Sequence, residues 1–311
     1  MTVLGLDTSN YTTSAALFDG AEGFSLGKLL EVPEGALGLR QSDALFQHVK
    51  RLPGLFHELR GKGKLSNIEA VGASTRPREV EGSYMPCFLA GESVGRILAD
   101  TLGVPFFPCS HQQCHLAAAA WSAGRAELLL RPFLAWHLSG GTTELLLAEP
   151  EGGMPRATKL GGTSDISAGQ LIDRTGKLLN LAFPAGKALD ALAEQSNKDT
   201  CFSVKVHELT FSLSGMENQT QAMIEKGVSG CETARFVLCT LSNLLIRVTR
   251  EAQRRYPGLP VLCSGGVSSN RLLRGRMTEE CGAVFAQPEY AADNAMGTAI
   301  LAYRALEGGK G

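Results

Sequence analysis

No stretch of the chain approaches the roughly 18–20 consecutive apolar residues that a bilayer-spanning helix needs, which excludes a hydrophobic membrane anchor of that kind. The start, Met1-Thr2-Val3-Leu4-Gly5, lacks the basic segment and apolar run of a secretory leader, so the chain reads as a cytoplasmic protein with no membrane partner. An excess of one charge is lacking too. With 30 Lys plus Arg against 31 Asp plus Glu the net charge is −1, so a nucleic-acid partner has to be held by a local patch. Arg247, Arg250 and Arg254, spaced to share a helix face, are one such patch, and a solvated arginine face is the competing reading. The eight cysteines follow no regular spacing, which points to reduced thiols and not to a disulfide framework. What the 311 residues do contain, 44% hydrophobic side chains and 36 glycines, suits a large core with many tight turns and excludes disorder and collagen. The length suggests two domains or two lobes.

Val3-Leu4-Gly5-Leu6 runs into Asp7-Thr8-Ser9-Asn10 and then into the apolar stretch 13–18, which predicts a strand, a polar turn and a returning strand. The apolar spacing over 45–59 is helical and interrupted at Pro53-Gly54; a buried strand follows at 70–73 and a helix near 90–102. The strand–turn–strand pattern recurs at 133–138, Ser139-Gly140-Gly141-Thr142-Thr143 and 144–148. After Pro184 the pattern is mostly helical to Tyr256, and a further strand at 259–263 ends in Ser264-Gly265-Gly266-Val267. Two halves that each open on a strand, a small polar loop and another strand are analogous to the actin, sugar-kinase and Hsp70 superfamily, which grips nucleotide phosphates from both lobes of a cleft. The expectation is therefore an α/β, actin-like ATPase (ASKHA) fold, with residues 1–116 and 290–311 as lobe I and 117–289 as lobe II.

Three groups of residues carry chemistry. His111 and His115, at i and i+4, share one helix face and can converge on a cation; ordinary surface or core histidines are the alternative, and Cys109 and Cys114 nearby would favour zinc over iron. His48, His57, His137 and His207 stand alone and suit structural roles. The glycine loops after strands, 139–143 and 264–270, let backbone N–H groups approach phosphate, although such loops also serve merely as turns. Asp173 and Asp190 can accept ribose hydroxyls, with Gly169 and Gly186 allowing close approach, and Asp165 and Asp293 are equally explained as helix-terminal carboxylates.

Taken in order, these pieces resemble the TsaD-type, glycoprotease-like family of tRNA adenosine threonylcarbamoyl transferases. Asp7-Thr8-Ser9 is similar to that family's first strand end, His111 and His115 to its H-x-x-x-H pair, and Ser139-Gly140-Gly141-Thr142-Thr143 to its S-G-G-H-T loop. The segment 168–173 is similar to A-G-E-A-F-D, Phe211-Ser212-Leu213-Ser214-Gly215 to F-S-F-S-G, Gly265-Gly266-Val267 with Asn270 to G-G-V-x-x-N, and Asp293-Asn294 to its final D-N. The resemblance implies that His111, His115 and Asp293 hold one iron or zinc ion. It also implies that Asp7, Ser139, Gly140, Gly141, Thr142, Asp173, Gly186, Asp190, Gly265, Gly266 and Asn270 line a site for an adenine nucleotide or an adenylate. The implied activity is transfer of a threonylcarbamoyl group from its adenylate to the N6 amine of a tRNA adenosine, with partner proteins of the same pathway.

The sequence departs from the family where chemistry is expected. Tyr11 and Thr12 replace two acidic residues, Gln113 replaces the glutamate between the histidines, Thr142 the histidine of S-G-G-H-T, Glu217 a lysine, and 75–82 the A-G-P-G loop. The reading is thus a metal-dependent, nucleotide-binding carbamoyl or acyl transferase. Alternatives are a divergent paralogue acting on a different adenylate and a non-catalytic nucleotide-binding partner protein. A peptidase is disfavoured, since neither a nucleophile–base pair nor H-E-x-x-H is present.

Overall fold

A computed structural model of the chain describes residues 1–9, 11–32, 39–62, 65, 67–292 and 294–309. They divide into two compact units, Met1–Arg131 with Glu149–Ala157 and Asp293–Gly311, and Pro132–Ala148 with Thr158–Ala292. Residue 116, where the sequence reading divides the lobes, lies inside a helix, His111–Ser122.

In the first unit the strands are β1 (Thr2–Asp7), β2 (Thr12–Phe18), β3 (Gly23–Leu29), β4 (Ile68–Arg76) and β5 (Phe106–Ser110), in the order β3-β2-β1-β4-β5. β1 is antiparallel to β2 and parallel to β4, because the four residues between β1 and β2 are too few for a crossover whereas the route to β4 passes through helix α1 (Gln41–Gly61). Leu4, Leu6, Ala15, Leu17, Val71 and Ala73 form the core, which accounts for the near-continuous apolar runs in β1 and β4. α2 (Phe88–Leu102) and α3 (His111–Ser122) follow β4 and β5.

Pro53 does not break α1, contrary to the pattern in the sequence. An interior proline costs about 3 kcal/mol. Leu52, Leu55 and Leu59, each at most 2% exposed, recover roughly 2 kcal/mol apiece by burial, so packing outweighs propensity.

The second unit is built on β6 (Phe133–Leu138), β7 (Thr143–Glu151), β8 (Met154–Thr163), β9 (Val206–His207), β10 (Thr210–Phe211), β11 (Val261–Ser264) and β12 (Val284–Phe285). Its sheet order is β12-β11-β6-β7-β8-β10-β9, so β8-β7-β6-β11-β12 repeats the order of the first sheet. The helices are α4 (Ala168–Leu178), α5 (Gly186–Ala193), α6 (Ser214–Glu225), α7 (Gly230–Arg255) and α8 (Arg271–Cys281); the last helix, α9 (Met296–Gly308), belongs to the first unit. Trp136 anchors the core fully buried, its indole N–H donating to Thr249 Oγ1 of α7 at 2.9 Å. The stretch after Pro184 is less helical than its composition suggests: residues 197–205 are irregular and lead into the β9–β10 hairpin. No helix among the described residues is long and apolar enough to cross a membrane.

Candidate metal and nucleotide sites

In the first unit, β5 ends at Ser110 and α3 begins at His111, so both histidines fall on the first turns of one helix. Their Nε2 atoms lie 2.9 Å apart. Two nitrogens bound to one zinc at ~2.0–2.1 Å are separated by about 2.9 Å at a right angle and about 3.4 Å in a tetrahedron, so the pair needs little movement to share an ion. The other nitrogen of His111, Nδ1, lies 3.2 Å from Asp7 Oδ1. An ionised carboxylate only accepts, so this contact places the proton on Nδ1 and leaves the Nε2 lone pair for a ligand.

Asp7 is fully buried at the end of β1 and is itself held in place. Ser9 Oγ donates to its Oδ2 at 2.9 Å, and Ser74 Oγ of β4 donates to its Oδ1. Thr8 between them donates to the Cys87 carbonyl and accepts from Gly91 N, each at 3.0 Å, pinning the turn to α2. The Asp-Thr-Ser run is therefore a positioning device. Asp7, expected at the nucleotide, lies behind His111.

Gln113 has a structural role. It accepts from Ser110 N at 2.8 Å while Ser110 Oγ accepts from Gln113 N at 3.3 Å, a capping box that glutamine closes as well as glutamate does. The cysteines do not join the histidines. Cys109 and Cys114 sulphurs lie 3.0 Å apart, Thr298 Oγ1 donates to Cys114 at 3.2 Å, and burial pushes the Cys114 thiol well up. Among the described residues no three His, Cys, Asp or Glu side chains form a metal-holding group. Asp293, the third ligand that the resemblance implies, lies outside the described residues. Its neighbour Asn294 accepts from Met296 N at 3.0 Å and so serves the start of α9.

In the second unit, β6 and β11 are parallel neighbours, and both glycine loops leave from their carboxyl ends, where ligands bind in open α/β sheets. Ser139 N donates to the Thr142 carbonyl at 2.8 Å and Thr142 N to Ser139 Oγ at 3.0 Å, so Ser139 closes its own loop. The glycines then separate. A Cβ on Gly169 would lie 2.5 Å from Gly140 Cα, and one on Gly265 (φ +88°) 2.3 Å from the Leu138 carbonyl oxygen. These two are small so that the chain can pack on itself, which replaces the ligand-approach reading of Gly169. A Cβ on Gly140, Gly141, Gly186 or Gly266 would meet nothing within 4 Å, and these four are exposed. Ser167 caps α4 and donates to the Gly140 carbonyl at 2.5 Å, bringing a helix N-terminus to the loop.

Asp173 Oδ1 accepts from Ala185 N at 2.8 Å, which ties α4 to the start of α5 and sets Gly186 beside it. Asp190 is more committed. Asn270 Nδ2 donates to its Oδ1 at 2.7 Å and Arg271 Nε to its Oδ2 at 3.0 Å. Asn270 Oδ1 also caps α8 through Leu273 N at 2.9 Å, so Asp190 fixes Asn270 and both hold the head of α8.

A family model described as tRNA N6-adenosine threonylcarbamoyltransferase matches residues 38–300. The chain belongs to that family. The protein of this name from Ralstonia pickettii is 30% identical over 298 residues, covering 90% of this chain and 83% of the relative. Among solved structures, full-length HypF in its phosphate- and nucleotide-bound form matches with a TM-score of 0.65 at 13% identity, over 98% of this chain and 56% of its own. The activator of 2-hydroxyisocaproyl-CoA dehydratase from Clostridium difficile, with bound ADPNP, matches with a TM-score of 0.56 at 15% identity, over 100% of this chain and 97% of its own. At such identities the likeness is one of fold, the actin-like ATPase fold expected from the repeated strand–loop–strand pattern. Membership of a transferase family likewise agrees with the enzyme class expected.

Two departures from the family pattern have physical partners. Glu217, in place of a lysine, accepts from Arg174 at 2.7 Å, so the reversed charge is balanced beside Asp173. In the loop that replaces A-G-P-G, Arg76 grips both oxygens of Glu79 at 2.6 Å, and the Pro77 carbonyl accepts from Gln112 N at 3.1 Å. The loop thus braces the start of the histidine helix. Arg250 and Arg254 are paired with Glu280 and Glu251, so the arginine face of α7 is largely neutralised. Asp165 and Ser74 are positioning residues that no local sequence pattern marks. Asp165 accepts from Ser212 Oγ at 2.5 Å and Leu213 N at 2.8 Å, and these bonds, outweighing the opposing effect of burial, hold its carboxyl well below the usual range.

Proposed function

We propose that the chain is a metal-dependent, nucleotide-binding carbamoyl or acyl transferase that takes its donor as an adenylate, with a tRNA adenosine as acceptor. The observation that carries this is the 2.9 Å approach of the His111 and His115 Nε2 atoms with Asp7 behind His111. His111, His115 and Asp293 would hold one iron or zinc ion, and such an ion supplies Lewis-acid polarisation of a carbonyl or neutralises phosphate charge. Gly140, Gly141 and Gly266 offer N–H groups to phosphate oxygens, and Asp173 a carboxylate to the ribose. Asn270, fixed by Asp190, offers its amide to the base. The names of the relatives support a tRNA adenosine as acceptor, and the nucleotides in the HypF and dehydratase-activator structures are in keeping with a nucleotide site in this fold. A tRNA acceptor would place the chain in the cytoplasm.

Transfer forms a bond from the adenine N6 to the carbamoyl carbon, breaks the bond from that carbon to the oxygen bridging it to phosphorus so that AMP leaves, and releases a proton from N6. The chain offers poor acceptors for that proton at the two positions where the resembled family has acids. Thr12 is buried in β2, paired with Leu29, and Tyr11 carries a phenol; a neutral hydroxyl or phenol takes up a proton less readily than a carboxylate. This favours a paralogue with slower or redirected transfer. In a reconstituted assay with threonylcarbamoyl adenylate, tRNA and the family's partner proteins, we expect modification at least 100-fold below an authentic enzyme, on the scale of a lost general base. The Tyr11→Asp, Thr12→Glu variant should recover part of it. Wild-type modification at the authentic rate contradicts the altered-base reading, and failure to bind any adenine nucleotide at millimolar concentration contradicts the adenylate reading.

A further inference from the structure

One groove in the second unit belongs to neither the glycine loops nor Asn270. It encloses about 650 Å³ and is lined by segment 203–207, by Thr210, Phe211 and Ser212 on the β10 side, by Ser164 after β8, and by Arg247 of α7. Its lining holds Lys205, Arg247 and His207 and no carboxylate. That is unusual on this surface, where arginines are mostly matched, as Arg235 is to Asp199, Arg250 to Glu280 and Arg271 to Asp190. Arg247 instead donates to the Val204 carbonyl, which turns its guanidinium toward the groove wall. Two acids border the lining: Asp165, engaged by Ser212 and Leu213, and Glu208, exposed in the turn between His207 and Thr210. Of the four hydroxyls in the lining, Ser164 and Ser212 donate to the Phe211 carbonyl and to Asp165, and Ser203 and Thr210 add donors suited to phosphate oxygens.

The shape selects among phosphate-bearing ligands. Ser203, Lys205, His207, Thr210, Ser212 and Arg247 are all exposed, whereas a small ligand is normally enclosed over most of its surface. The aromatic ring in the lining, Phe211, is 3% exposed and offers no platform for a base. An open, cationic, hydroxyl-rich groove without a stacking surface suits a polymer backbone that passes across it. We infer that this groove is a docking site for the phosphodiester backbone of a structured RNA, with Lys205 and Arg247 each neutralising a phosphate. The inference rests on the tRNA acceptor proposed above and assigns that acceptor a contact surface away from the adenylate loops.

The test is binding of the full chain to an unmodified tRNA transcript, read by fluorescence anisotropy across a range of salt. Two lost phosphate contacts should weaken binding about tenfold near physiological salt and reduce the slope of log affinity against log salt by roughly 1.5 to 2 in Lys205→Ala, Arg247→Ala. The single variant Lys205→Glu, exposed and remote from the core, should show a loss of at least similar size without risk to folding. Arg254→Ala on the same helix, paired with Glu251, should change affinity less than twofold. Wild-type binding with the double and Lys205→Glu variants unaffected overturns the groove while leaving the tRNA acceptor standing. An equal loss in Arg254→Ala overturns it as well, since charge alone would then explain the effect. Absence of tRNA binding by the wild type overturns both readings. A Lys205-dependent calorimetric signal with inorganic phosphate at submillimolar affinity would make the groove a small-anion site and also overturn the assignment.

Discussion

The histidine cluster of the first unit and the glycine loops of the second are built by opposite means. Around His111 the polar atoms are side chains that hold one another: Ser9 and Ser74 fix Asp7, and Asp7 fixes His111. Around Gly140, Gly141 and Gly266 the polar atoms are backbone, and the side chains that matter, Ser139 and Ser167, act by closing the loop and capping α4. A cation needs donors at set distances, which interlocked side chains provide; a phosphate accepts N–H groups over a wider range, which bare backbone provides. The first kind of site should fail through a chain of single substitutions, and the second only where a Cβ intrudes.

The sharpest contrast within the first unit is with a third histidine. His48 is fully buried, its Nδ1 2.8 Å from Thr13 Oγ1, and burial pushes its pKa down to about 4 against a smaller opposing pull from Asp7. The unfolded imidazole takes a proton near pH 6.5 and the folded one only near 4. Stability contributed by neutral His48 is therefore full above pH 6.5 and is lost as the pH falls through that window, by up to about 3 kcal/mol. Urea unfolding of metal-free protein at pH 7 and pH 4.5 should show the loss, and His48→Gln should flatten it. An unchanged slope in the variant would separate His48 from acid sensitivity.

Next in size is Asp7→Asn. It keeps the shape but replaces a charged, acceptor-only carboxylate by a neutral amide that can also turn its N–H toward His111, so zinc affinity should fall 10–100-fold with the fold retained. Competition with a chromogenic chelator reads this directly, and an unaltered affinity would reduce Asp7 to a packing residue. The smallest pair of effects lies in the loops. Gly169→Ala, which drives a methyl into the 139–140 backbone, should lose about 1–3 kcal/mol of stability. Gly140→Ala, which faces open space, should leave stability within about 0.5 kcal/mol and weaken ATP binding. Calorimetry on both variants would break the comparison if the two losses were exchanged.

Much of this was legible in the sequence because it is local. The strand–loop–strand repeat is carried by β1–β2 and β6–β7, whose apolar runs are buried on both faces, and H-x-x-x-H fixes its own geometry once α3 is a helix. β3 and β8 were not legible, since their half-exposed, mixed residues carry no clear alternation, and β12 spans two residues. The continuity of α1 through Pro53 was hidden because it depends on burial of the Leu52, Leu55 and Leu59 face. Positioning residues were hidden for a related reason: Ser74 reaches Asp7 across 67 positions, and Asp165 reaches Ser212 across 47. Asp-Thr-Ser reads as a strand end until the partner strand is in place.

The central claim is that His111 and His115 share one ion with Asp293, and metal analysis of the purified chain tests it most directly. After reconstitution with zinc or ferrous iron under anaerobic conditions and removal of excess, the wild type should retain close to one ion per chain. His111→Ala, His115→Ala and Asp293→Ala should each retain little, with unchanged circular dichroism. Retention by the three variants equal to that of the wild type, or no tight binding by the wild type itself, would contradict the account.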